Sequence, residues 1–166
     1  AKVTGSNPGG WTTVLVSTLR KGGQGVFALD ITDPSTFTQT PTNAANTVLW
    51  EFTDTNDRDL GYTYSQVQIV KMANDKWAAI FGNGYNNTDA DGNASLTGNA
   101  VRYILYIEDG VDGWASGDWE KIDTGVGITV TNTTPNGLAT PTATDVDRDG
   151  KVDYIYAGDL RGNLWR

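Results

Sequence analysis

Short apolar runs alternate with polar punctuation along the chain, and their periodicity is that of strands rather than helices. Residues 13–17 (Thr-Val-Leu-Val-Ser) and 26–31 (Val-Phe-Ala-Leu-Asp-Ile) flank a Gly-rich turn at 20–25 and predict a hairpin. Thr32-Asp33-Pro34-Ser35 breaks the pattern, and the polar stretch 35–46 reads as a surface excursion. Residues 48–52 resume it, with Trp50 and Phe52 at alternate positions, as suits one buried face. A second unit runs through 66–70, the strongly apolar 77–82, a long Asn/Asp/Gly loop at 83–99, the run 101–107 and a short strand at 119–122, after a Gly/Asp loop at 109–118. A third comprises 142–145, an acidic loop, 154–159, a tight turn at 160–162 and 163–166. No segment has the apolar stripe of an amphipathic helix.

The units form a weak internal repeat. Each has an apolar strand ending in Gly or a small residue, then a polar loop, then an apolar strand running into Asp or Trp. Small sheets repeating every 40 to 60 residues or so predict an all-β fold, a β-propeller, in which each blade buries its faces by stacking on its neighbours. About three blades fit into 166 residues, so the whole of 1–166 is expected to be part of one propeller domain that stops inside a blade. A complete small sandwich with hairpin repeats is the alternative.

Composition narrows the chemistry. Twelve Lys and Arg against twenty Asp and Glu give −8, which disfavours nucleic acid and anionic lipid as partners. No run approaches the length of a membrane-spanning helix, so membrane insertion is not expected. Residues 1–6 lack the apolar core of a signal peptide. The chain has no Cys and no His, which removes thiolate nucleophiles, disulfides, zinc fingers, iron–sulfur ligation and the Ser-His-Asp triad. Any metal must therefore be held by oxygen.

Residues 145–153 supply that oxygen. They read Asp-Val-Asp-Arg-Asp-Gly-Lys-Val-Asp, with carboxylates at loop positions 1, 3, 5 and 9 and glycine at 6. This is the first nine residues of an EF-hand-like calcium loop. Calcium takes six to eight hard oxygens at about 2.3–2.6 Å, and alternate side chains of a tightly wound loop converge on one point. Gly150 permits the sharp turn. The Lys151 carbonyl is the expected position-7 ligand, with its side chain pointing to solvent. Val152 should tuck into the core, and Arg148 should stay outside the ion's shell. An EF-hand would have Glu at position 12, whereas Tyr156 stands here, and strands flank the loop. Water, Asp153 or a neighbouring carbonyl would complete the shell.

Other polar features have blander readings. Asp89 and Asp91 near Asn93 could hold a second ion, but a mobile surface loop fits better. The run Asp54, Asp57, Arg58, Asp59 reads as a solvated blade edge, with Arg58 pairing one of the Asp residues. Trp50, Trp77 and Trp165 lie in strand patterns and belong to packing. Trp114 and Trp119 flank Gly-rich loops, where partial exposure and ligand contact are possible. Asn-x-Ser/Thr sequences at Asn86, Asn93 and Asn132 are weak glycosylation patterns.

The calcium loop and the following residues 153–166 resemble the C-terminal propeller of PilC/PilY-type tip proteins of bacterial type IV pili. Residues 25–30, 59–66 (Asp-Leu-Gly-Tyr-Thr-Tyr-Ser-Gln) and 81–85 (Phe-Gly-Asn-Gly-Tyr) resemble it as well. The resemblance implies a modified, quinoprotein-like propeller of seven blades with one calcium site. It implies the side chains of Asp145, Asp147, Asp149 and Asp153 and the carbonyl of Lys151 as Ca2+ ligands. It also implies a non-enzymatic role in pilus biogenesis, calcium-dependent control of extension and retraction (twitching motility), and adhesion in virulence. Expected partners are pilin or minor pilins and the host-cell surface. The expected location, after export, is the bacterial surface at the pilus tip (the fimbrium), with outer-membrane association. The chain is too short for seven blades. Alternatives are a calcium-stapled, integrin-like extracellular scaffold, whose blades should each carry a calcium loop, or a fragment of a quinoprotein dehydrogenase, which ordinarily uses a cysteine pair that this chain lacks.

Overall fold

The computed structural model describes residues 10–89 and 93–166, which form three antiparallel sheets. The first holds β1 (Val14–Thr18), β2 (Gly25–Asp30) and β3 (Val48–Thr53). The second holds β4 (Gln68–Lys71), β5 (Trp77–Gly82), β6 (Val101–Tyr106) and β7 (Trp119–Asp123). The third holds β8 (Thr142–Thr144), β9 (Tyr154–Gly158) and β10 (Leu164–Trp165). Strands within each sheet lie in chain order, so the three predicted units are three blades. The fold is all-β, part of a β-propeller.

Burial explains the sequence pattern. One face of the middle blade presents Ala79, Phe81, Tyr103 and Leu105 to Val26, Ala28, Trp50 and Phe52 of the first blade. Its opposite face presents Ala78, Ile80, Ile104 and Tyr106 to Ile155 of the third, with Val70, Met72, Ala143 and Val152 packed at the margin. A strand buried on both faces has no polar side to show, which is why β5 is an unbroken apolar run. The register sets Phe81 opposite Tyr103 and Ile80 opposite Ile104, so each apolar pair keeps to one face.

The indoles and the polar excursion take defined places. Trp114 and Trp119 are half-buried, in line with the partial exposure expected, and their rings also pack on the core. Trp114 meets Trp50 and Phe52 edge-on at 5.2 and 5.5 Å between ring centroids, and Trp119 meets Phe52 at 5.0 Å. The Trp114 indole N–H donates to the Glu51 carbonyl at 2.6 Å. The polar excursion at 35–46 is exposed but not irregular. It contains a 3-10 turn, Pro34–Thr36, and a short helix α1 (Pro41–Thr47), started by Pro41 and by Thr40, whose hydroxyl accepts from the Asn43 N–H. α1 buries no side chain, so it leaves no apolar stripe in the sequence.

One buried side chain ties together the connections around the middle blade. Asn83, fully buried just beyond β5, donates its amide to the carbonyls of Asp59 and Asn99, both at 2.9 Å. Its Oδ1 accepts from the N–H groups of Val101 at 3.1 Å and Leu138 at 2.9 Å. One amide thus ties the entry to the middle blade, the start of β6 and the segment leading to β8. Asn87 donates to the same two carbonyls, at 3.2 and 3.1 Å, while its own Oδ1 has no partner among the described residues.

Asn83→Ala leaves the Val101 and Leu138 N–H groups buried without an acceptor. At about 1–3 kcal/mol for each of the two orphaned groups, the loss of unfolding free energy should be about 2–6 kcal/mol. Asn87→Ala should cost less, because Asn83 still serves both carbonyls. Urea unfolding of the two variants checks the order; equal losses would mean that the two amides are equivalent.

Candidate metal centre

The acidic loop spans the gap between β8 and β9. Its base is closed by the Asp153 N–H donating to the Thr144 carbonyl at 3.0 Å. Inside it, aspartate side chains accept from nearby backbone N–H groups, as short polar side chains do in tight turns. Asp145 accepts from Arg148 at 2.6 Å through Oδ1 and from Gly150 at 2.9 Å through Oδ2. Asp147 accepts from Asp149 at 3.1 Å, and Asp149 from Lys151 at 2.8 Å. Arg148 and Gly150 have φ of 65° and 86°, and this alternation winds the loop tightly. A β-carbon on Gly150 would meet nothing within 4 Å, so glycine is favoured there by backbone conformation and not by space.

The winding brings together carboxylate oxygens of Asp145, Asp147 and Asp149, all within 4.8 Å of one another. Asp145 is half-buried and the other two are exposed. Among the described residues this is the one group of three or more carboxylates so converged. Asp153 is engaged differently, its Oδ2 accepting from the Val146 N–H at 2.7 Å. Arg148 is exposed, and Val152, as expected, packs against the cluster between the middle and third blades. The donor set is all hard oxygen on a loop anchored at both ends by strands, which fits a cation of the calcium type.

Lys151 departs from expectation. Its side chain does not run free into solvent but pairs with Asp75 at 3.1 Å. Asp75 sits in the turn between β4 and β5 and also pairs with Lys71 at 2.9 Å. These two ammonium groups lower its carboxyl below the usual range. The turn projects from the middle blade toward the loop, which puts a carboxylate within the reach of Lys151. Nothing in the local sequence places Met72-Ala73-Asn74-Asp75 beside residue 151.

Several acidic residues elsewhere have internal partners. The run 54–59 is not a solvated edge, and its cation is not Arg58, which is exposed. Lys121 on β7 pairs with Asp57 at 2.7 Å and Asp59 at 2.9 Å. Tyr103 donates its hydroxyl to Asp57 at 2.9 Å, and Ser95 donates to Asp59. Burial, then the Asp57 charge, pushes the Tyr103 phenol well above its usual value. The signal that could have found this group is the Asp-x-Asp spacing of 57 and 59, with an isolated Lys in a facing strand. In the loop considered for a second ion, Asp91 lies outside the described residues. Asn87 is fully buried rather than at the surface, and Asn93 donates its backbone N–H to Asp54 at 2.6 Å.

Asp159, beyond β9, serves the third blade in the same way. It accepts from the side chains of Asn136 (2.9 Å), Asn163 (2.9 Å) and Trp165 (3.0 Å), and from the N–H groups of Arg161 (3.0 Å) and Asn163 (2.8 Å). Burial alone would push its carboxyl up. Donors from Asn163, Asn136 and Trp165 outweigh that and hold it well below the usual carboxylate range.

Comparison with known proteins places this arrangement. The family model described as PilY1 beta-propeller domain matches residues 1–166. A type IV pilus biogenesis factor PilY1 homolog of Xylella fastidiosa is 42% identical over 164 residues, which cover 95% of this chain and 10% of that protein. The type IV pilus biogenesis factor PilY1 of Pseudomonas aeruginosa (strain PAO1) is 38% identical over 158 residues, covering 95% of this chain and 11% of that protein. The chain therefore spans about a tenth of the length of these curated relatives. The crystal structure of the Pseudomonas aeruginosa PilY1 C-terminal domain superposes with a TM-score of 0.71 at 37% identity, covering 96% of this chain and 27% of that one.

Asp159 gives a pH signature. A carboxyl whose folded value is depressed contributes stability that is fully present above the unfolded titration range, roughly pH 4 and up, and is lost as pH falls toward the folded value. Asp159→Asn removes that term. Urea unfolding at stepped pH should show a flatter loss of stability below roughly pH 4 than in the parent; parallel curves would show that these hydrogen bonds do not favour the charged form.

Proposed function

Because the chain belongs to the PilY1 beta-propeller domain family, we propose that it is the calcium-binding part of the propeller of a type IV pilus biogenesis factor. The observation that carries this reading is the convergence of Asp145, Asp147 and Asp149 within 4.8 Å in a loop held between two strands. The side chains of these three and the Lys151 carbonyl would be ligands. The Asp153 oxygen that is not engaged with Val146, or water, would complete the shell. Calcium supplies the positive charge that offsets the mutual repulsion of the three carboxylates. The residues then act as a staple, fixing the path of the β8–β9 connection against the middle blade.

The role is non-enzymatic. With neither His nor Cys, the chain has no imidazole base and no thiolate. The relatives' names place them in pilus biogenesis, and the role proposed for the parent of this chain follows. It works at the bacterial surface, at the pilus tip, with pilin or minor pilins as partners. Ion occupancy would bias extension against retraction by favouring one presented surface over another, and an ion shifts such an equilibrium only through its differential affinity for the two states. Adhesion to host cells and an association with the outer membrane belong to the same reading. Extracellular modules of this loop type bind calcium at about 0.1–1 mM, which suits an ion sensed outside the cell.

Asp149→Ala should lower calcium affinity at least about tenfold, a loss of about 1.4 kcal/mol or more, while far-UV circular dichroism keeps its β signal. Isothermal titration calorimetry checks the first and unchanged affinity would remove the loop from the reading. In cells, Asp145→Ala at normal protein level should alter twitching. Normal motility with lost binding would leave calcium a structural staple only.

A further inference from the structure

The 145–153 loop is held from the neighbouring blade as well as from its own. Lys151 lies at the crossing point. Its N–H donates to Asp149 inside the loop at 2.8 Å, while its ammonium reaches Asp75 in the β4–β5 turn at 3.1 and 3.2 Å. The next residue repeats the link in the backbone, the Val152 N–H donating to the Lys71 carbonyl at 2.9 Å. The Val152 side chain packs with Val70 and Met72 of the same hairpin against Ile80 and Ile104. Asp75 is itself fixed in a left-handed backbone conformation, φ 67°, by its N–H donating to the Met72 carbonyl and by its pair with Lys71. Ion pair, main-chain bond and apolar contact therefore join the same two segments.

We propose that Asp75 is a positioning residue for the loop: through Lys151 it presets the loop's conformation from the adjacent blade, so that cation occupancy of the loop and order of the β4–β5 turn are coupled. The link to the cation rests on the calcium reading above. The coupling is reciprocal, because whatever Asp75 contributes to binding, binding returns to the turn. A partner seated on the β4–β5 turn would then sense the ion without touching its ligands.

Two substitutions separate positioning from simple charge. Asp75→Asn removes a negative charge near the loop and Lys151→Met removes a positive one, so a purely electrostatic effect on a cation has opposite signs in the two. Loss of the tether has the same sign in both. Calcium titration of the otherwise intact protein should show both variants weakened by about two- to fivefold, the range an exposed ion pair supports. Tighter or unchanged binding in Lys151→Met overturns the proposal. Asp75→Glu should restore most of the lost affinity, and failure to do so counts against it equally. Hydrogen exchange of peptides covering 145–153 in calcium-free protein should be faster in Asp75→Asn and Lys151→Met than in the parent. If the parent binds no calcium, the calcium reading falls, and the tether is judged on that exchange alone: unchanged rates in both variants overturn it.

Discussion

Four hydrogen bonds to one buried amide decide where the blades meet. Asn83 touches backbone groups of residues 59, 99, 101 and 138, which belong to three separate stretches of chain: the entry to the middle blade, the start of β6 and the segment leading to β8. Backbone comes this close to backbone only where side chains are missing. A β-carbon on Gly137 would overlap the Gly84 carbonyl, and one on Gly84 would overlap that of Tyr62. The resulting layer of main chain has few water-accessible groups, so its donors and acceptors must be met from within. Asn is suited to this, because its amide offers a donor to two carbonyls and an acceptor to two N–H groups from a single short side chain.

That joint frames the acidic loop. β8 begins just after the segment bound by Asn83, and β9 returns beside it, with Ile155 in the cluster shared with the middle blade. Both ends of the loop are thus set by packed strands, while its centre is shaped by its own aspartates accepting from its own backbone. A site built this way has fixed ends and an adaptable middle. Calcium tolerates such a middle better than magnesium, which demands near-ideal octahedral geometry.

Much of this is legible in the sequence because the signals are local. The strands announce themselves by short apolar runs, and the double burial of β5 by the lack of any polar residue in Trp-Ala-Ala-Ile-Phe-Gly. The loop at 145–153 is legible because its spacing encodes its own winding. What escapes is whatever depends on two blades at once. Lys121 reaches across to Asp57 and Asp59, Lys151 reaches Asp75, and Trp114 folds back on Trp50 and Phe52. Their partners lie tens of residues away, and nothing in the neighbouring sequence names them. α1 escapes for the opposite reason: it is local but buries nothing, so capping alone makes it, and capping without periodicity is a weak sign.

What the loop carboxylates have in common is convergence without a cationic side chain. The chain carries an excess of eight negative charges, and where acidic groups enter the fold they meet donors or cations: Lys121 for Asp57 and Asp59, Asn99 for Asp123, amide and indole donors for Asp159, two lysines for Asp75. Asp145, Asp147 and Asp149, like Asp123 and Asp159, are met by neutral donors, here backbone N–H groups, and the ammonium nearest in sequence, that of Lys151, is drawn away to Asp75. Neutral donors shape the carboxylates into a cluster without cancelling their charge. Had Lys151 turned inward, it would have stood where a cation stands and satisfied the loop permanently, as Lys121 does for its own pair. By taking up that lysine, the β4–β5 turn leaves Asp145, Asp147 and Asp149 without an ammonium partner among the described residues, so the order of the loop rests on its own backbone donors and on its ties to the middle blade.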